Sequence, residues 1–167
     1  PAQTLFTLPA EPREFMPTPE AQRGAAVAYC ATPGPLDKGQ RTFYAVSPLP
    51  DGWTQAQVDS YLREYNSRSV ANLTIHEAMP GHYLQIAHSN RYPSVLRAML
   101  GSGPFIEGWA VYAERVMQEQ GFRGGAPLMR LVQLKWYLRS ATNAIIDSAI
   151  HVDGMSRDDA MRLMTET

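Results

Sequence analysis

The sequence predicts an α+β fold, with a small antiparallel sheet at the N-terminal side and a mostly helical remainder. Three observations predict it. Two short β-prone runs, AAVAYCAT (residues 25–32) and RTFYAVSP (residues 41–48), flank the turn-rich loop PGPLDKG. From Thr54 onward the apolar period changes: Val58, Tyr61, Leu62 and Tyr65 follow i, i+3, i+4, i+7, one face of a helix. The 167 residues are 44% hydrophobic and 19% charged, which suits a single domain with its own core.

Taken in order, residues 1–23 carry Pro9, Pro12, Pro17 and Pro19 and read as an extended, irregular lead-in. The two β-prone runs follow, and LPDGW (residues 49–53) is a second turn. Residues 1–53 thus form an extended and β-rich part, and residues 54–167 a helical one. Thr54 is a candidate N-cap, with Gln57 at capping-box spacing. A second helix is expected over residues 70–88 and a short third over 93–100, ended by GSGP. The fourth spans residues 105–120 and stops at Gly121. After the loop GFRGGAP, Pro127 suits the first turn of a long fifth helix reaching residue 151. Ser156 as N-cap with acidic Asp159 at N3 opens a sixth.

The net charge of −1 gives no electrostatic footprint for nucleic acid. No apolar run approaches the ~20 residues of a membrane span. Cys30, the single cysteine, excludes an internal disulfide framework and a cysteine-based zinc site, and reads as a small buried apolar residue. The eight methionines read as core filler. Because the chain starts at Pro1 without Met and stops at Thr167 inside a helical pattern, it is expected to be a piece of a longer protein. The missing signal peptide therefore says nothing of the compartment.

The chemistry concentrates in HEAMPGH. In the zinc signature H-E-x-x-H the two histidines are one helical turn apart. His76 and His82 are six apart. On a straight helix His82 would lie about 120° around and roughly 9 Å along, too far to share an ion. Pro80 lacks an N–H and its ring clashes with the carbonyl of His76, while Gly81 tolerates unusual dihedrals. A bulge or a short break there brings His82 back towards His76. The bland alternative is that Pro80 and Gly81 merely end one helix and start another, with both histidines satisfied by hydrogen bonds.

Zinc catalytic sites use three protein ligands and water, and Glu107, in IEGWAVYAE, is the candidate third ligand. Glu114, seven residues on, is placed to orient a ligating imidazole. Glu77 is the candidate general base. Asp147 and His151, at i, i+4, form a candidate substrate or oxyanion contact, or simply a structural pair. Arg139 suits a substrate carboxylate and Tyr112 an oxyanion donor. Trp109, Tyr112, Trp136 and Tyr137 at helical spacing read more readily as core. His88 is assigned to an exposed helix end without a role.

The succession of NLTIHEAMPGHYLQ, EGWAVYAE and an Asp-x-x-x-His segment, preceded by TFYAVSPLPDGWTQAQVDSYLREYN, resembles the DUF885 family. These bacterial proteins are grouped by similarity with gluzincin-type zinc metallopeptidases and are several times longer. The resemblance implies active-site helices beneath a small sheet whose edge strand can hold an extended peptide. It implies His76, His82 and Glu107 as ligands of one Zn2+ and Glu77 as base. The family's D-x-G-x-H pattern reads Asp147-Ser148-Ala149-Ile150-His151 here, without the glycine that allows close backbone approach.

The leading expectation is therefore a zinc-dependent hydrolase of peptide bonds. Two others stand beside it: a non-catalytic binding or scaffold domain that retains the motif, and a zinc amidohydrolase of small non-peptide substrates. Manganese, cobalt or nickel also suit such ligands. The expected partners are a peptide or small amide, the remainder of the parent protein, and a second copy in a homodimer that covers exposed apolar surface.

Overall fold

The computed structural model describes residues 6–10, 13–37 and 39–166. Pro12 of the lead-in, Lys38 of the predicted loop and the terminal Pro1 and Thr167 lie outside the described residues. Three strands, β1 (Arg13–Pro17), β2 (Ala28–Ala31) and β3 (Thr42–Val46), precede seven helices. These are α1 (Gln55–Glu64), α2 (Ser67–Glu77), α3 (His82–Asn90), α4 (Val95–Met99), α5 (Gly103–Glu119), α6 (Pro127–Asp153) and α7 (Arg157–Glu166). The α+β class and its order, sheet first and helices after, match the sequence reading.

The sheet is mixed, in the order β1-β3-β2. β2 and β3 form the expected antiparallel pair, with Cys30 opposite Tyr44. β1 adds in parallel, Phe15 opposite Tyr44, within the stretch read as irregular lead-in. The expectation of a purely antiparallel sheet is corrected here. REFMP is an edge strand with alternating exposed and half-buried residues and Pro17 at its end. An edge position tolerates that composition, but it leaves little apolar alternation to read. β3 is central because TFYAV supplies the most buried strand, including Thr42, Tyr44 and Ala45.

Helix starts follow local chemistry. The Thr54 and Gln57 side chains close the full capping box of α1. Asn66 caps α2 by accepting from the Arg68 and Ser69 backbones. Ser94 and Ser102 cap α4 and α5 in the same way. α6 ends at Gly154 with φ 71°, a left-handed cap suited to glycine. The Ser156 hydroxyl accepts from the Asp159 backbone at 3.1 Å at the start of α7.

α2 is the central helix, packed on α5 and α6 and touching β2, while α3 packs on α5. Ala110 and Ala113 are fully buried, and their small side chains let α5 approach closely. Leu73 joins Ala28 and Tyr44 to tie α2 to the sheet, flanked by Val27 and Trp136. Burial of the methionines differs from expectation: Met129 is buried, but Met99, Met161 and Met164 are exposed. Cys30 is only half-buried. His88, in the last turn of α3, bonds the Thr7 carbonyl at 2.9 Å.

The single helix expected over residues 70–88 is two helices. α2 stops at Glu77, Ala78 leaves helical geometry at φ −103°, ψ −94°, and the Met79–Pro80 peptide is cis. Gly81 donates its N–H to the Ile75 carbonyl at 2.9 Å, and α3 begins at His82. A Cβ on Gly81 would stand 1.8 Å from the His76 carbonyl oxygen and 2.4 Å from that of Ile75. The Trp109 indole N–H donates to the Pro80 carbonyl at 2.9 Å and fastens the break to α5.

This close approach makes a sharp prediction. Gly81→Ala has no room to relax against backbone oxygens and should cost about 3 kcal/mol or more in urea unfolding. Gly108→Ala, inside α5 with open space around it, should instead gain about 0.5–1 kcal/mol. Equal stability of the two variants would contradict the packing described at the break.

Candidate metal centre

Four elements meet at one place. α2 contributes Asn72, His76 and Glu77, α3 contributes His82, and α5 contributes Glu107 and Glu114. β2 contributes a backbone N–H, from Cys30, to the Glu77 carboxylate.

His76 is held from behind. Its Nδ1–H donates to Glu114 Oε1 at 2.6 Å, and the Asn72 Nδ2–H donates to Glu114 Oε2 at 2.8 Å. Glu114 is 3% exposed, so this carboxylate is spent on fixing the imidazole. With Nδ1 occupied, Nε2 is the free donor atom. It lies 3.8 Å from Glu107 Oε2, and His82 Nε2 lies 3.6 Å from the same oxygen. The two rings sit 4.8 Å apart and nearly perpendicular, at 89°.

Donors about 2.1 Å from a tetrahedral ion stand about 3.4 Å from one another. The two imidazole-to-carboxylate separations are within a few tenths of that edge, so these two pairs are spaced as ligands of a divalent ion of zinc's size would be. Glu77 completes the cluster: donor atoms of His76, Glu77 and His82 all lie within 4.8 Å of one another. Glu107 reaches both imidazoles from a side chain that is 69% exposed, whereas Glu77 is tied to the strand. His76, Glu77 and His82 thus come together as donors, and Glu107 reaches the same two imidazoles from α5. His82 Nδ1 is buried without a hydrogen-bond partner among the described residues, as is Oε1 of Gln85, its i+3 neighbour.

The electrostatics follow from burial and three carboxylates. Burial pushes the Glu77 carboxyl up to about 6, against the pull of His76 and the Cys30 N–H, and Glu107 and Glu114 add to the rise. Burial draws the His76 imidazole down, but its bond to Glu114 and the charges of Glu114, Glu77 and Glu107 raise it above its ordinary value. His82 is lowered, first by burial and then by His76.

The cluster opens into a cleft of about 440 Å³ walled by residues 25–28, Leu73, Val111, Trp136 and Tyr137. Arg139 lines this cleft together with His76, Glu77, Glu107 and Glu114, so the fold brings these five candidates together. Tyr112 instead lines a separate groove with Arg115 and Arg130. Asp147 and His151 form their i, i+4 pair at 3.5 Å, both well exposed, and neither lines the cleft. Four participants went unread in the sequence. Asn72 sits one turn before His76, an i, i+4 relation that pointed to it. Tyr137 and Trp136 were assigned to core yet line the cleft. The Cys30 N–H is backbone and leaves no residue signal.

The family model described as "Bacterial protein of unknown function (DUF885)" matches residues 2–167. Solved structures are similar to this chain, two of them as follows. One is described as "a putative lipoprotein of unknown function" from Shewanella oneidensis. It is 44% identical with a TM-score of 0.79, over 95% of this chain and 28% of that one. The other, described as "the putative lipoprotein" from Colwellia psychrerythraea, is 26% identical with a TM-score of 0.79, over 96% of this chain and 26% of that one. The chain thus spans 28% and 26% of these solved relatives. No curated protein matches it.

The bond behind His76 can be tested by itself. Glu114→Gln keeps an oxygen acceptor but removes the charge, and zinc affinity should fall about 10–100-fold. Competition titration against a chromophoric chelator measures it, and a variant that titrates like wild type would remove Glu114 from the site.

Proposed function

We propose that this chain, which belongs to the DUF885 family, carries the metal centre of a hydrolase that cleaves amide bonds in peptides. His76, His82 and Glu107 would hold one zinc ion. The convergence of both Nε2 atoms on a single Glu107 oxygen carries this reading. When bound, such an ion acidifies a water and polarises a carbonyl.

The chain's own groups supply the rest. Glu77, its carboxyl pushed up to about 6, is suited to take a proton near neutrality and return it to a leaving amine. Glu114 keeps the His76 ring in the tautomer that leaves Nε2 free. Arg139 on the cleft wall offers a cation for a substrate carboxylate. A peptide is favoured as substrate because β2 is an edge strand and Ala28 borders the cleft. An extended chain can add to such an edge through backbone hydrogen bonds.

Location is proposed from similarity alone. Both solved relatives are described as lipoproteins of the putative kind, which favours the bacterial envelope. No helix among the described residues is long and apolar enough to cross a membrane.

Glu77→Gln separates catalysis from binding. Zinc content should match wild type, while hydrolysis of a peptide mixture, followed by mass spectrometry on the full-length polypeptide, should drop about 100-fold or more. Undiminished hydrolysis in the variant would rule out Glu77 as the base.

A further inference from the structure

Helix α6 is apolar on two opposite sides. Its inner side buries Met129, Gln133 and Ile146 and half-buries Trp136. Its outer side carries Leu131, Leu134, Leu138, Ile145 and Val152, which are 46–77% exposed. A helix apolar all round is normally enclosed by other structure. The spacing of these residues is 3, 4, 7 and 7, with Ala141 and Ser148 at the intervening positions. This is the a/d repeat that seats knobs of a neighbouring helix. The stripe runs about 32 Å at 1.5 Å per residue.

The stripe borders a groove of about 520 Å³ between α5 and α6, lined by Val111, Tyr112, Leu134 and Tyr137. Tyr137 also lines the cleft of the metal centre.

We infer that the outer face of α6 is the docking surface for an amphipathic α-helix from the rest of the same polypeptide. Two observations select this occupant. The chain spans only 28% and 26% of its solved relatives, which leaves ample polypeptide to supply a helix. The positions flanking the stripe are Leu128, Arg130, Lys135, Tyr137, Thr142, Ala144, Ala149 and His151, without a carboxylate. Lys135 already pairs with Glu64 and His151 with Asp147, so Arg130 is the flanking charge that a docked helix carrying Asp or Glu would meet. Seated there, the helix would insert an apolar side chain into the α5–α6 groove and add a wall to the cleft at Tyr137. The docking surface itself does not depend on the metal reading.

The test places Glu at the positions that superpose on Leu138 and Ile145 in the intact Shewanella protein, and makes Leu138→Glu with Ile145→Glu in this chain alone. Thermal unfolding and analytical ultracentrifugation are followed in both. The intact protein should lose several degrees in Tm or fail to fold, with the milder pair of Ala substitutions giving a smaller loss. The chain alone should keep its helical circular dichroism. An intact variant that melts like wild type would overturn the proposal. So would an intact wild type that is a dimer and becomes monomeric in the variant without loss of Tm, since the occupant would then be a second copy.

Discussion

The site depends on one close approach of backbone to backbone. Gly81 lies so near the carbonyls of Ile75 and His76 that no side chain fits, and its N–H satisfies the Ile75 carbonyl left open where α2 ends. That contact turns the chain within four residues and starts α3 at His82. Two histidines that would be about 9 Å apart along a straight helix instead present rings 4.8 Å apart. The Trp109 indole on the Pro80 carbonyl joins the turn to α5, the helix that carries Glu107 and Glu114.

Charge explains why the assembled cluster would favour a cation. Glu77, Glu107 and Glu114 surround two imidazoles, and Glu114 is buried. A buried carboxylate is costly unless bonded, and here both oxygens are used, one by His76 and one by Asn72. His76, raised against its own burial, reports an excess of negative charge, whereas Glu77 is raised first by burial and only then by Glu107 and Glu114. A divalent ion would relieve that excess, and protons relieve it in its absence, so the two compete.

How much of this could be read from the sequence depends on how local each cause is. The capping box of α1, the helix end at Gly121 and the β2–β3 pair are written in adjacent residues. His76, Glu77 and His82 were found because HEAMPGH is close to a zinc signature and Pro80 and Gly81 announced a distortion between the histidines, and Glu107 and Glu114 because IEGWAVYAE offers carboxylates one helix downstream. β1 was not, because an edge strand reading REFMP is held by partner backbone rather than by its own pattern. The Cys30 N–H on Glu77 was invisible for the same reason. Trp136 packs on the core and also lines the cleft, and Tyr137 was misplaced because helical spacing of aromatics cannot distinguish a wall of the core from a wall of a cleft. Leu131, Leu138, Ile145 and Val152 look like core in the sequence and stand in solvent here.

The central claim is that HEAMPGH, broken and refolded at Gly81, is a metal motif. Elemental analysis of wild type and His82→Ala, purified without chelator, tests it most directly. The account predicts about one zinc per wild-type chain and its loss in the variant. Wild-type protein that takes up no metal even after incubation with zinc, or a variant that retains it, would contradict the account.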